Sequence, residues 1–317
     1  MEEQFIYNSI NKMKIVLVFL SISFSFPSYA EYKGLKKISK NNTFMDGDGK
    51  PYLIENITNK ENILLIIWNH GSEPDHKKDS CKLKPKWGYE WDGAVIPAVL
   101  RLHNKKINNL TIKIYRLCSG VRGMGGHVQE QIGERISKGE KIDSFPEYKQ
   151  LKRQNIILAK ADELLKDGFE NIILVGYSAG GWASLNLMSR FPEKFRGAIA
   201  INPAFAGPKI EWQKELPEWG FFREQQINIF KQSDSLNAIL FAHTNDEFED
   251  PGTLSFFKDF KDLEFINYSE LKSTNCDWAD VDRKMSIDDG HSIPQSSCFT
   301  NFIKKNKYFI NYLESIF

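Results

Sequence analysis

Residues 172–183, Ile-Ile-Leu-Val-Gly-Tyr-Ser-Ala-Gly-Gly-Trp-Ala, constrain the fold more than any other stretch of the chain. The apolar run 172–175 reads as a strand buried on both faces, as in a parallel sheet. Residues 179–189 read as a helix. Between them lies Gly176-Tyr177-Ser178-Ala179-Gly180, a G-x-S-x-G turn with a strand before it and a helix after it. Such a turn holds its serine at a sharp corner, with the hydroxyl directed away from the sheet and helix amide dipoles directed toward it. Gly176 and Gly180 lack the side chains that would collide there. The five-residue pattern alone is weak, and its setting makes it specific. Ser178 is therefore the candidate nucleophile.

The rest of the chain supplies a frame for this turn. Apolar runs predict strands at 63–68, 110–117, 198–201, 237–242 and 263–268. Helical spacing predicts helices at 94–102, 148–165 and 301–316, with a short one near 254–260. Residues 32–59 mix short apolar patches with Asp46-Gly47-Asp48-Gly49 and Pro51, and read as edge strands and turns. Strands alternating with helices predict a mostly parallel central sheet with helices on both faces. Sheets of that kind place ligands at the carboxyl ends of their strands. No repeat or low-complexity linker divides the chain, so 31–317 is expected to form a single domain. Two connections, 72–91 and 119–146, exceed the usual loop length. Both leave strand ends and are expected to act as cap-like loops over a pocket.

A serine hydroxyl needs a base, and the base needs an orienting acid. The chain has six histidines, at 70, 76, 103, 127, 243 and 291. With the serine on a strand-to-helix elbow, the chain order is nucleophile, acid, base. That order leaves His243 and His291. His291 sits in Asp288-Asp289-Gly290-His291-Ser292-Ile293-Pro294, after the last expected strand, and is the candidate base. His243 ends a strand and precedes the acid loop. It is expected either to hydrogen-bond within that loop or to pack beneath the site. Asp246 is the candidate acid, with Asp250 as main rival and Glu247 behind it. Asp288 and Asp289 adjoin the base and would tune its pKa if they face it. For the oxyanion of acyl transfer, the backbone N–H of Ala179 is one expected donor. The second is the N–H of Ser72, in the loop Asn69-His70-Gly71-Ser72, which His70 is expected to brace.

The amino terminus reads as a leader, 1–30, with a signal-peptide core at 13–30. Lys12 and Lys14 precede an apolar stretch at 15–26, Pro27 breaks it, and Ser28-Tyr29-Ala30 suits a signal peptidase. The stretch is short for a membrane span, which wants about 20 apolar residues. No stable span is expected after cleavage, and the product is expected in the periplasm or outside the cell. The cysteines agree with export, and the expected disulfides are Cys81–Cys118 and Cys276–Cys298. The formal net charge of +1, without a basic tract, argues against a nucleic-acid partner. No C-x-x-C pair suggests zinc or redox chemistry, and the expected reaction needs neither metal nor cofactor.

These pieces together resemble the α/β-hydrolase superfamily, nearest to its dienelactone-hydrolase-like and peptidase-like esterase branches. The matching stretches are Trp-Asn-His-Gly-Ser at 68–72, Gly-Tyr-Ser-Ala-Gly-Gly at 176–181 and Phe-Pro-Glu-Lys-Phe-Arg-Gly-Ala-Ile-Ala-Ile-Asn-Pro at 191–203. Thr-Asn-Asp-Glu-Phe at 244–248 and Asp-Gly-His at 289–291 complete them. The resemblance covers about residues 60–317. It implies an α/β-hydrolase fold, a triad of Ser178, Asp246 and His291, and an acyl-enzyme on the way to ester hydrolysis. Serine stands where dienelactone hydrolases proper carry cysteine, so their substrate does not transfer. The expected substrates are small or aryl/acyl esters. A serine peptidase of the same fold is the first alternative. A polysaccharide acetyl or feruloyl esterase is the second, with tryptophans 68, 87, 91, 182, 212 and 219 available for a sugar or aryl site. A binding protein without chemistry is the alternative of a different class.

Overall fold

The computed structural model describes residues 43–53, 57–71, 95–119, 138–139, 149–205, 207–215, 217–233, 235–276 and 288–317. These all belong to one compact unit, 35–317. The leader, Ser72, Cys81, loop 72–91 and most of 119–146 lie outside the described residues. Among those described, no helix is long and apolar enough to cross a membrane.

The strands are β1 Thr43–Met45, β2 Pro51–Tyr52, β3 Ile63–Asn69, β4 Lys106–Ile107, β5 Leu110–Leu117, β6 Asn171–Tyr177, β7 Gly197–Ile201, β8 Ser235–Ala242 and β9 Lys261–Asn267. The helices are α1 Pro97–Leu100, α2 Lys149–Lys166, α3 Ala179–Arg190, α4 Pro217–Phe230, α5 Ser297–Asn306 and α6 Tyr308–Ile316. One sheet runs β2-β1-β5-β3-β6-β7-β8-β9, with β4 also paired to β5. From β5 through β9 every neighbour along that path is parallel, while β1, β2 and β4 add antiparallel pairings at one side. This is the α/β-hydrolase fold.

Both faces of the sheet are covered, and the side-chain alternation shows it. In β3, Leu65 and Ile67 join a core shared with α2, α3 and α4. Leu64, Ile66 and Trp68 join the opposite core, with α1, α5 and α6. All seven residues of β3 are buried, which explains its unbroken apolar run. Along α3 every residue from Ala179 to Met188 is buried, so this helix lies within the core. Trp182 there packs edge-on against Phe205, Phe230, Phe256 and Phe257.

The topology also locates the site. β3 lies between β5 and β6, and Asn69 is level with Gly176. The chain leaves β3 toward β5 but leaves β6 toward β7. The strand order therefore reverses direction between β3 and β6, and ligands bind outside the carboxyl ends of strands at such a switch point.

Two expectations change. The helix expected at 301–316 is two helices, α5 and α6, broken at Lys307, whose φ is 55°. The helix expected at 94–102 is the single turn α1 followed by turns. In addition, the five-residue helical turn Glu211–Glu215 and α4 occupy a stretch for which no element was expected.

Candidate active site

Ser178 links β6 to α3 with φ 54° and ψ −126°, a sparsely populated conformation for a side-chain-bearing residue. Such backbone costs about 1–3 kcal/mol and persists only when its surroundings hold it. Here Ser178 N–H donates to the Ile201 carbonyl at 3.0 Å. Its own carbonyl accepts from Trp182 and Ala204, both at 3.1 Å. The motif glycines are needed for closeness. A Cβ on Gly176 would lie 2.3 Å from the Gly180 carbonyl oxygen, and one on Gly180 would lie 2.1 Å from that of Asn69.

His291 reaches this corner from the loop before α5. Its Nε2 lies 3.0 Å from Ser178 Oγ, and its Nδ1 lies 2.8 Å from Asp246 Oδ2. Ser178, Asp246 and His291 are all buried. A carboxylate only accepts, so the imidazole donates from Nδ1 to Asp246 and keeps the Nε2 lone pair toward the hydroxyl. The other oxygen of Asp246 accepts from the N–H groups of Phe248 (2.8 Å) and Glu249 (3.3 Å). Burial disfavours the imidazolium. The charge and hydrogen bond of Asp246, with Asp289 and Glu247, outweigh it and raise the His291 pKa above its ordinary value.

The rival acids face elsewhere. Asp250 pairs with Lys209 and accepts from the amides of Gly252 and Thr253, which holds its carboxyl below the usual range despite some burial. Glu247 is exposed. His243 follows the first of its two expectations and hydrogen-bonds within the acid loop. Its Nδ1 accepts from Asn245 N–H at 3.0 Å within the acid loop, its Nε2 donates to the Leu271 carbonyl at 2.8 Å, and it is buried. Asp289 accepts the His291 N–H at 2.9 Å, and Asp288 bridges Ser273 and Asn245.

His70 braces the loop that follows β3. His70 Nδ1 donates to the Gly71 carbonyl at 2.6 Å, Ser119 N–H donates to Nε2 at 3.2 Å, and Arg153 donates to the His70 carbonyl at 2.6 Å. A Cβ on Gly71 would sit 3.1 Å from Ser178 Cβ, so this loop runs against Ser178. Ala179 opens α3, where amides lack intrahelical acceptors. Ser72 itself lies outside the described residues. Cys276, three residues beyond the Ser273 that holds Asp288, lies at disulfide distance from Cys298. Cys118 is also disulfide-bonded, and its expected partner, Cys81, lies outside the described residues.

Several residues at the site carried no expectation. Tyr177 Oη donates to the His291 carbonyl at 2.7 Å, and Asn202 Nδ2 donates to the Gly290 and His291 carbonyls at 2.9 and 3.2 Å. Tyr268 Oη donates to Asn202 Oδ1 at 2.7 Å. Arg223 on α4 forms a two-point ion pair with buried Glu249, which follows closely on Asp246. Only Asn202, at the end of a strand and before a proline, had a local signal, and its φ of 44° fits an asparagine.

No protein-family model matches the chain, and no curated protein matches it in sequence. Solved structures are similar in shape. The esterase Est1E of Butyrivibrio proteoclasticus with ferulic acid bound has 15% identity and a TM-score of 0.45, over 86% of this chain and 99% of that one. A peroxisomal α/β-hydrolase of Saccharomyces cerevisiae has 12% identity and a TM-score of 0.48, over 84% and 80%. A monoacylglycerol lipase of Paleococcus ferrophilus has 12% identity and a TM-score of 0.44, over 87% and 98%. With likeness at this level, the functional reading rests on the geometry of the site.

Proposed function

We propose that this chain is a serine hydrolase that cleaves carboxylic esters through an acyl-enzyme, with small or aryl/acyl esters as substrates. The observation that carries the reading is the buried row Ser178–His291–Asp246, with contacts of 3.0 and 2.8 Å. Ser178 Oγ attacks the ester carbonyl as its proton passes to His291 Nε2. Asp246 stabilises the imidazolium so formed. The amides of Ala179 and Ser72 receive the developing oxyanion, each worth about 3 kcal/mol. Collapse of the tetrahedral intermediate expels the alcohol, which takes the proton from Nε2. Water, activated by the same imidazole, then releases the acid and restores Ser178. The leader pattern at 13–30 and the Cys276–Cys298 bridge support export to an oxidising space.

A fluorophosphonate probe is expected to label Ser178 in the purified protein. Ser178→Ala is expected to abolish labelling and to lower kcat on p-nitrophenyl acetate by about 10⁴-fold or more. A folded wild-type protein that neither labels nor turns over esters refutes the reading. A clear preference for aminoacyl amides over p-nitrophenyl esters would move it to a peptidase.

A further inference from the structure

The base is held by more than its acid. The peptide units on both sides of the His291 Cα are fixed by side chains from other elements. Its N–H donates to Asp289 Oδ1 at 2.9 Å. Its carbonyl receives Tyr177 Oη from the end of β6, at 2.7 Å, and Asn202 Nδ2 from just beyond β7, at 3.2 Å, an amide that donates more closely to the neighbouring Gly290 carbonyl, at 2.9 Å. One donor suffices to satisfy a buried carbonyl. Here side chains from two different strand ends hold the successive carbonyls of Gly290 and His291, the second of which belongs to the residue whose ring must stay in line. Each donor is itself backed. Asn202 accepts from Tyr268 Oη, which is also 3.4 Å from the Gly290 carbonyl, and Tyr177 Oη accepts from Gln295 at 3.4 Å.

Tyr177 also reaches the other two parts of the site. It precedes Ser178 in sequence, and its ring would touch a Cβ on Gly71 at 3.4 Å. Its ring centroid is 5.1 Å from that of His291, whose other neighbour is Phe248 at 4.3 Å. Burial pushes the Tyr177 and Tyr268 phenols well above their ordinary pKa, so both remain donors at any working pH.

We propose that Tyr177 and Asn202 are positioning residues for the base: Tyr177 on the His291 carbonyl and Asn202 across the Gly290 and His291 carbonyls hold the imidazole between Asp246 and Ser178. The inference rests on the serine-hydrolase reading of this site. Losing one donor leaves the triad side chains in place but widens the range of angles the ring samples. Such slackening lowers kcat more than it alters binding.

The test uses the full chain, with rates normalised to sites titrated by a fluorophosphonate. Tyr177→Phe removes only the hydroxyl. It is expected to lower kcat on p-nitrophenyl acetate about tenfold, the scale of one hydrogen bond, with KM changed less than about twofold. The acid limb of its kcat/KM profile is expected to move down in pH, because a looser ring feels less of Asp246. The other ionisable groups that act on the ring are Glu247 on the acid loop and Asp289 on its own loop, and the substitution touches neither. Asn202→Gly, which tolerates the φ of 44°, is expected to act in the same direction. It decides alone if Tyr177→Phe does not fold. Wild-type kcat and an unshifted pH profile per titrated site, in both variants, overturn the inference and leave the nucleophile reading standing. A wild-type protein that takes up no label overturns that reading, and this inference with it.

Discussion

Gly290→Ala is the substitution for which the structure gives the sharpest quantitative expectation. A Cβ at this position would lie 2.2 Å from His243 Nδ1, 2.8 Å from the carbonyl carbon of Asn245 and 2.8 Å from Asp246 N. Two of these are backbone atoms and the third belongs to a ring hydrogen-bonded at both nitrogens. None is the free end of a flexible chain. Were the loops to stay put, the clash and the lost Asn245–His243 bond would cost about 2–5 kcal/mol. Should they yield, an ordinary contact near 3.4 Å requires about 1.2 Å of separation between the base loop and the acid loop. His291 and Asp246 ride on those two loops, next to the contact. A displacement of about 1 Å at a reacting group costs on the order of 10²-fold in rate.

The expected result is a folded protein with a lowered melting temperature and a kcat down by about two orders of magnitude. KM should move little, because Gly290 lies behind the base. Initial rates on p-nitrophenyl acetate and a thermal melt measure both quantities. Gly47→Ala is the control: Gly47 is exposed, its nearest neighbours would be 3.8 Å from the new Cβ, and neither readout should change. A folded Gly290→Ala protein with wild-type kcat refutes the argument that this close approach aligns the triad.

The raised His291 pKa gives activity and stability opposite pH trends. Activity needs the neutral ring, so the acid limb of kcat/KM should lie above about 6.5, while the stabilisation is complete below the unfolded value of about 6.5 and fades as pH rises through the folded one. Rate profiles and melts across that range check both, Asp246→Asn should remove both, and an acid limb at or below 6.5 contradicts the assignment. Arg223→Met leaves Glu249 buried without its partner and should cost about 3–5 kcal/mol in urea unfolding. Adding Glu249→Leu should recover most of that loss, and no recovery would mean the pair is not the source. Cys276→Ser with Cys298→Ser opens a bridge of sequence separation 22 and should cost about 3 kcal/mol. An unchanged urea midpoint would show that the rest of the fold already restrains this segment.

Much of the sheet was legible because strands buried on both faces leave long apolar runs, as in β3 and β6. The breaks were less legible. Lys307 adopts a left-handed φ with no glycine or proline nearby to announce it, so α5 and α6 read as one helix. The helix α4 is hidden in the sequence for a different reason. Its buried face includes Arg223 and Gln226, charged and polar residues that any periodicity argument assigns to solvent. Their burial is compensated by Glu249 and Gln154, which lie elsewhere in the chain and reach α4 only through the fold. The proposed triad shows the same division between local and distant information. Ser178 is marked by its neighbours and His291 by its place in the chain order. The contest between Asp246 and Asp250 is not local, because either carboxylate fits a turn after β8. The two carboxylates differ in what else they bond. Asp250 is taken up by Lys209 and by two amides of its own turn. Asp246 uses its turn amides on one oxygen only, and the second is left facing the imidazole. The supports of that imidazole are equally distant, since Tyr177 and Asn202 lie 114 and 89 residues from the carbonyl they hold. A sequence names groups able to react. The groups that aim them are ordinary tyrosines and asparagines until the sheet brings its strand ends together.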